Sequence, residues 1–329
     1  MSFFKFLLAI LMFLSSGVTG WIKLPVPKTL TMSFVGDCTI ATQKGASGEG
    51  TFNWYAKNYE PTYFLEKVAD IFRADDITMV NCENVLSDRD LTRRDKGSDT
   101  AFWFIGPASS ARIFSSSSVE VAGFANNHAR DYGQAGYDDT VEALKAQGLT
   151  VAEDGEPVYL EKNGIRVGIL ACGIWYLGQE RNYYDELREM EANSDFQVVY
   201  PHGGTEGTYE VDPWRVTAFR NLIDHGADLV VGTHPHRIQP IERYNGGTIV
   251  YGLGNFCFGG NNRPDRRTAI YQCTLALRKD GVEFKSDLVI PCTVFTGSRN
   301  NWQPAPIPED DPMYDEIYNF MYGLTDNLG

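Results

Sequence analysis

The chain has 329 residues, of which 43% are apolar, 13% aromatic and 22% charged. That is enough apolar matter for one large domain or two small ones with a full core. The formal charge of −14 argues against a nucleic-acid binder, which needs a basic face, and six cysteines without a CxxC pair or regular spacing read as buried thiols, with no bridge to assign.

Residues 1–22 form a unit of their own. Lys5 precedes the wholly apolar run Phe6 to Leu14, and small residues follow, with Val18 and Gly20 suited to a cleavage site. This is the shape of a secretory signal, or of an uncleaved anchor about the length of a spanning helix. Either reading places the rest of the chain outside the cytoplasmic membrane, secreted or anchored. A linker with Pro25 and Pro27 spans 23–30, and the remaining residues 31–329 read as a single domain with a C-terminal extension.

Strand-like and helix-like runs then alternate. TLTMSFVGD is a strand ending at Gly36-Asp37, and PTYFLEKVADIF is a helix with Phe64, Leu65, Val68, Ile71 and Phe72 on one face. ITMVNCEN and VEVAGFANNH are strands, YDDTVEALKAQG a helix closed by Gly148, and GIRVGILACG and FQVVYPHGG further strands. DPWRVTAFRNLIDHGA is a helix that leads into the strand ADLVVGTHPH. GTIVYGLGNFCFGG, TAIYQCTLALR and KSDLVIPCTVF follow as strands, and DDPMYDEIYNFMYGL as a short amphipathic helix. The pattern is α/β with a β-rich second part.

Polar residues collect where these strands stop. Asp37 follows TMSFVG, Glu83 follows ITMVNC, Asn127 and His128 follow VEVAGFAN, His202 follows FQVVYP, and His234 and His236 follow DLVVGT. Taken singly, each has a structural reading: Asp37 as a turn residue, Glu83 as a helix cap, Asn126 as a turn asparagine, His225 as a helix-end histidine. Taken together, four of five histidines and two acids lie at the ends of five predicted strands. In a mostly parallel sheet such ends converge, and oxygen and imidazole donors gathered there suit one or two divalent ions, manganese, zinc or iron.

Several stretches resemble the poly-γ-glutamate capsule biosynthesis family, the CapA family. They are FVGD at Phe34 to Asp37, VNCEN at Val80 to Asn84, GFANNHARDYG at Gly123 to Gly133, HGGTE at His202 to Glu206, and Gly226 to Phe258. The resemblance implies a calcineurin-like metallophosphoesterase fold, a four-layer αββα sandwich of two mixed sheets flanked by helices. It also implies roles. Asp37 and His236 would hold a first metal, and Asn127, His202 and His234 a second, with Glu83 between them. His128 would be the catalytic acid. Asp131 would orient His128 or cap the following helix, and Glu206 would be an outer partner of His202. Two departures stand out. Thr39 occupies the position where metallophosphoesterases place a histidine, leaving the first metal one protein ligand short. Gly203 replaces a common aromatic residue, removing a wall of the pocket.

Basic residues follow two of the candidate strand ends: Arg89, Arg93, Arg94 and Lys96 after Glu83, and Arg263, Arg266 and Arg267 after GLGNFCFGG. Of these, Arg93, Arg94, Arg263, Arg266 and Arg267 are candidates to bind an anionic substrate or polymer; nearby aspartates offer the alternative of neutralised loop charges. The expected function is hydrolysis of a phosphoester or a γ-glutamyl amide in capsule or cell-surface polymer metabolism. The competing expectation is a non-catalytic accessory subunit of a membrane-bound polymer synthesis or export complex, with a structural or vestigial metal site.

Overall fold

A computed structural model describes residues 28–98, 101–261 and 264–325. The expected signal or anchor (1–22), linker residues 23–27 and Arg263 lie outside the described residues. The strands are β1 (Thr29–Thr39), β2 (Thr42–Gln43), β3 (Ile77–Cys82), β4 (Val85–Leu86), β5 (Phe104–Gly106), β6 (Val121–Phe124), β7 (Thr150–Glu153), β8 (Val158–Lys162) and β9 (Ile165–Gly173). They continue with β10 (Phe196–His202), β11 (Leu229–Val231), β12 (Ile238–Tyr244), β13 (Gly247–Leu253), β14 (Asn255–Phe258), β15 (Arg267–Arg278), β16 (Gly281–Thr293) and β17 (Ala305–Pro306).

Two mixed sheets face each other. One has the order β17-β16-β15-β1-β3-β6-β7 with β14 added to β1, and the other the order β12-β13-β11-β10-β9-β8. Between them lies an apolar layer including Met32, Phe34 and Met79 from the first and Ile169, Val198, Leu229 and Val250 from the second, all buried. Helices cover both outer faces. Gly133–Ala146 and shorter helical pieces bury Tyr137, Leu144, Phe64 and Phe72 against the first sheet, and Tyr184–Asn193 and Pro213–Asp224 bury Leu187, Met190, Phe219 and Leu222 against the second. This is the four-layer αββα sandwich. Each large apolar side chain so buried contributes roughly 1.5–3 kcal/mol. All six cysteines are buried and unbridged, and among the described residues no helix is long and apolar enough to cross a membrane.

Parallel pairing aligns the C-terminal strand ends. β1, β3, β6 and β7 run parallel in one sheet, and β9, β10, β11 and β13 in the other. A register shift in β1 between Phe34 and Asp37 has a consequence for side-chain direction. Leu30, Met32 and Phe34 join the layer between the sheets, whereas Val35 and Cys38 join the outer layer. Strict alternation would put Cys38 on the side of Phe34; the irregularity moves the period by one residue and turns Asp37 inward.

Three expected elements differ in the structure. PTYFLEKVADIF is not one helix but a 3₁₀ turn at Pro61–Tyr63 and a helix at Ala69–Ala74. The Tyr63 carbonyl, which a continuous helix needs, accepts from the Gln303 side chain at 2.7 Å, while Phe64, Leu65, Val68 and Phe72 stay buried. GTIVYGLGNFCF is broken at Gly254 (φ +75°), so that β13 belongs to the second sheet and β14 to the first. A Cβ at Gly36 would meet the Gly254 carbonyl oxygen at 1.9 Å. Glycine at 36 thus permits the crossing, which the Asp37 N–H seals by donating to the Gly254 carbonyl at 2.9 Å. ADLVVGTHPH is extended only over Leu229–Val231. The C-terminal helix is present as Pro312–Met321, capped by Asp311, and buries Ile317, Phe320 and Met321 in the layer between the sheets.

Candidate metal centre

The facing sheet edges bring seven expected residues together. Asp37, Glu83, Asn127 and His128 come from the ends of β1, β3 and β6; His202, His234 and His236 come from the ends of β10 and β11. Two groups of potential ligands result, Glu83–His202–His234 and Asp37–Glu83–His236, with Glu83 common to both.

In the first group, His202 Nε2 lies 2.9 Å from Asn127 Oδ1, 3.0 Å from His234 Nδ1 and 3.7 Å from Glu83 Oε1. The other nitrogen fixes the ring. His202 Nδ1 lies 2.8 Å from Thr233 Oγ1, whose own proton goes to the Pro201 carbonyl. Asn81 Nδ2 lies 3.2 Å from the same nitrogen; with its hydrogen on Nδ1 the ring donates to Thr233 Oγ1 and turns the Nε2 lone pair to the centre, the tautomer that metal ligation requires. Burial, reinforced by neighbouring imidazoles, holds His202 well below the usual histidine range. Burial and His236 also push His234 down to about 3. Both rings are neutral near pH 7, the form a metal ligand requires.

In the second group, Asp37 Oδ1 accepts from Asn81 Nδ2 at 2.8 Å, and Asp37 Oδ2 lies 3.0 Å from His236 Nδ1. That contact is an ion contact without hydrogen-bond alignment. Burial alone would depress His236, but the carboxylates of Glu83 and Asp37 outweigh it and raise it to about 9. Glu83 is fully buried, and neither carboxylate oxygen makes a hydrogen bond. Burial first, and Asp37 second, push its carboxyl well above the usual range. A buried carboxylate without donors is costly, and a cation between these groups relieves that cost. The donor set fits divalent ions: imidazole nitrogens and carboxylate and amide oxygens converge around the unpaired Glu83 oxygens.

The two histidines of THPH do not share a strand face. His234 has φ +95° and His236 φ +55°, a left-handed backbone uncommon outside glycine and typical of functional sites. These turns send His234 to His202 and His236 to Asp37, with the ring centroids 5.9 Å apart. The His234 N–H also donates to Asp37 Oδ2 at 3.2 Å, tying the second sheet to the first.

Beside the centre, His128 Nδ1 lies 2.7 Å from Asp131 Oδ2. The same oxygen accepts from the Phe104 N–H at 2.8 Å, and Asp131 Oδ1 faces Lys96 Nζ at 2.5 Å. Asp131 thus holds His128 and caps no helix; Gly133–Ala146 has no side-chain cap. His128 Nε2 is left as the nitrogen without a protein partner among these contacts. Burial lowers the His128 pKa, against the opposing pull of Asp131.

The surroundings differ from expectation at several points. Glu206 approaches His234 Nε2 (3.8 Å), not His202, from an exposed position. Gly203 does not open the pocket. A Cβ there would lie 1.8 Å from the Ile174 carbonyl oxygen, and the adjoining Trp175 stands edge-on to His202 and His234 at 5.8 and 5.2 Å. The aromatic wall therefore comes from the loop after β9. Phe104 packs on His128 and Phe258 on His236. The arginines divide. The Arg93 guanidinium covers the Trp103 ring at 4.3 Å, and Arg93 and Arg94 line a groove of about 630 Å³ on a segment pinned to Asp131 by the Arg94 N–H. Arg267 instead pairs with Glu316 and Asp265, and Arg266 stacks on Phe295 and donates to its carbonyl. Those carboxylates and carbonyls offer a partner within the fold, so the structure assigns Arg266 and Arg267 to packing the C-terminal segment.

Sequence reasoning missed the supporting polar residues. Asn126 Nδ2 donates to Asn81 Oδ1 and to the Cys82 carbonyl, and Asn126 Oδ1 accepts from the His128 N–H. Asn81 and Thr233 sit within the motifs but carry no spacing signal, and Lys96 reaches Asp131 from a loop far from it in the chain.

Comparison with known proteins follows this geometry. The profile of the family described as bacterial capsule synthesis protein PGA_cap matches residues 31–260, a span containing every residue of the centre. The "PGA biosynthesis protein CapA" of Bacillus subtilis is 27% identical over 85% of this chain and 74% of its own. A "probable polyglutamine synthesis accessory protein" of Mycobacterium tuberculosis is 28% identical over 41% of this chain and 44% of its own. A hypothetical protein of Thermus thermophilus, known from a crystal structure, superposes with a TM-score of 0.49 at 14% identity, covering 80% of this chain and 99% of its own.

Proposed function

The chain belongs to the bacterial capsule synthesis protein family, and on that premise we propose that it is a divalent-metal-dependent hydrolase of a phosphoester or γ-glutamyl amide in an anionic cell-surface polymer. The observation that carries this reading is Glu83: fully buried, without a hydrogen-bond donor, and shared by two converging ligand groups. Divalent cations held by these groups would supply Lewis acidity to polarise the scissile group and lower the pKa of water.

The chain's own residues do the rest. Asp131 holds the proton on His128 Nδ1 and fixes the ring, so that Nε2 is the atom that hands a proton to the leaving group. Lys96 neutralises Asp131 and keeps it from bending away. Trp175, Phe104 and Phe258 restrict water around the ring nitrogens. Arg93 and Arg94 bind flanking anionic groups of the substrate. The sequence of residues 1–22 supports action outside the cytoplasmic membrane, secreted or anchored.

The test loads the purified chain with manganese or zinc and assays a generic phosphoester and poly-γ-glutamate. Turnover of one class is expected, with His128→Ala lowering kcat by about 10²–10⁴-fold. If neither class is turned over, and His128→Ala leaves the cellular polymer unchanged, the hydrolase reading is wrong. The second reading, a non-catalytic accessory subunit, is favoured by Thr39, which donates its hydroxyl to the Glu83 carbonyl and offers no imidazole. It gives the Lys96–Asp131–His128 arrangement no task.

A further inference from the structure

Thr39 leaves the Asp37–Glu83–His236 group one ligand short, and the structure offers a candidate replacement that none of the motifs above contributed as a ligand. We propose that the Asn255 amide oxygen completes this position, and that the two positions select different ions. A manganese-class cation would sit at the oxygen-rich position of Asp37, Glu83, Asn255 and His236, and a zinc-class cation at the position of His202 and His234 with Glu83 and Asn127. This inference rests on the metal-centre reading above.

Three observations carry it. Asn255 is buried, and its Oδ1 is shut from solvent without a hydrogen-bond donor. The buried Asn81 and Asn84 and the half-buried Asn126 nearby are engaged: Asn81 with Asp37, Asn84 with Ile40 N, and Asn126 with Asn81. An amide oxygen in that state bears its full desolvation cost unless something absent from the protein itself meets it. Second, Asn255 lies in register with Asp37 across the parallel β1–β14 pair, as Asn81 does across β1–β3. Residues paired in this way share a face of the sheet. Asn81 binds Asp37 Oδ1 from one flank, and Asn255 occupies the other. Third, that flank is the His236 side: Phe258, at the end of the same short strand, packs on the His236 ring at 5.0 Å. Asn255 is therefore paired with Asp37 on a strand whose other end meets His236. The break at Gly254 is what delivers it there from the second sheet.

The donor chemistry then separates the positions. Three oxygens and one imidazole suit manganese, whereas two imidazoles with two oxygens suit zinc.

The experiment titrates metal-stripped protein with Zn²⁺ and then with Mn²⁺. Bound metal is counted by elemental analysis, and free Mn²⁺ is followed by electron paramagnetic resonance. Wild type is expected to hold one zinc and, once zinc-loaded, one manganese. Asn255→Ala is expected to weaken manganese binding about tenfold or more with zinc unchanged, and Asn255→Asp, which keeps an oxygen and adds charge, to bind manganese at least as tightly as wild type. Unchanged manganese affinity in Asn255→Ala overturns the proposal, as does equal weakening of zinc and manganese in both variants. If the alanine variant does not fold, Asn255→Asp decides alone, and weakened manganese binding there overturns it. A wild type that binds neither ion sinks the metal-centre reading itself; a wild type that binds both with an indifferent Asn255 sinks only this inference.

Discussion

The His202–His234 half of the centre and the Asp37–His236 half share Glu83 but are held differently. On the His202 side the ring is held by the protein: Thr233 Oγ1 and Asn81 Nδ2 lie 2.8 and 3.2 Å from its Nδ1, and Trp175 closes the flank. On the Asp37 side polar groups stand without a hydrogen bond: both Glu83 oxygens and Asn255 Oδ1 have no donor, and His236 Nδ1 meets Asp37 only as an ion contact. One half is held by the protein's own contacts, and the other is an assembly of uncompensated groups that a cation would complete. Buried polar networks tend to one of these two conditions, fully satisfied or waiting for a ligand.

The sharpest way to break this contrast is Glu83→Gln, which touches both halves. It is expected to abolish the stabilisation that metal confers, about 2.7 kcal/mol per ion at a hundredfold excess over Kd, and to cut any hydrolysis by about 10³-fold. Without metal the same variant is expected to melt no lower than wild type, because it removes a buried, unpaired carboxylate. Thermal melts with and without chelator read both effects, and a lower melting temperature in chelator would show that Glu83 stabilises the metal-free fold.

Thr233→Val separates the halves. It keeps the side-chain shape but lets His202 lose its Nδ1 acceptor, so zinc affinity is expected to fall about 10–100-fold with manganese binding nearly unchanged. An equal loss of both ions in a calorimetric titration would mean that the halves are not independent. The smallest effect is expected outside both. Lys96→Met removes the ammonium from Asp131 and is expected to lower kcat about tenfold, with metal content unchanged and no further loss when added to His128→Ala. Additive losses in that double mutant would place Lys96 in a separate role.

How much of this was legible varies residue by residue. Asp37, Glu83, Asn127, His202, His234 and His236 each end an apolar run, and the parallel strands behind those runs carry them to one place. Lys96 and Asn255 had no such mark. Lys96 meets Asp131 only because the 92–98 segment folds back along the groove, and Asn255 reads as part of one long strand until Gly254 breaks it. The arginines show the limit of composition. Arg93 and Arg267 look alike in the chain, yet one covers Trp103 beside the centre and the other pairs with Glu316 on the C-terminal helix.

The sequence by itself determined the α/β alternation and the set of donor residues, because apolar period and residue type are local properties of the chain; the sandwich class came from the resemblance of its motifs to a known family. The tertiary structure alone decided the division of that set between two positions. The shift in β1 turns Asp37 inward, the left-handed turns at His234 and His236 aim adjacent motif residues apart, and the crossing at Gly254 sets Asn255 opposite Asp37. Each is a close approach between segments far apart in the chain, whose geometry depends on the packing of both sheets and so leaves no local pattern to read.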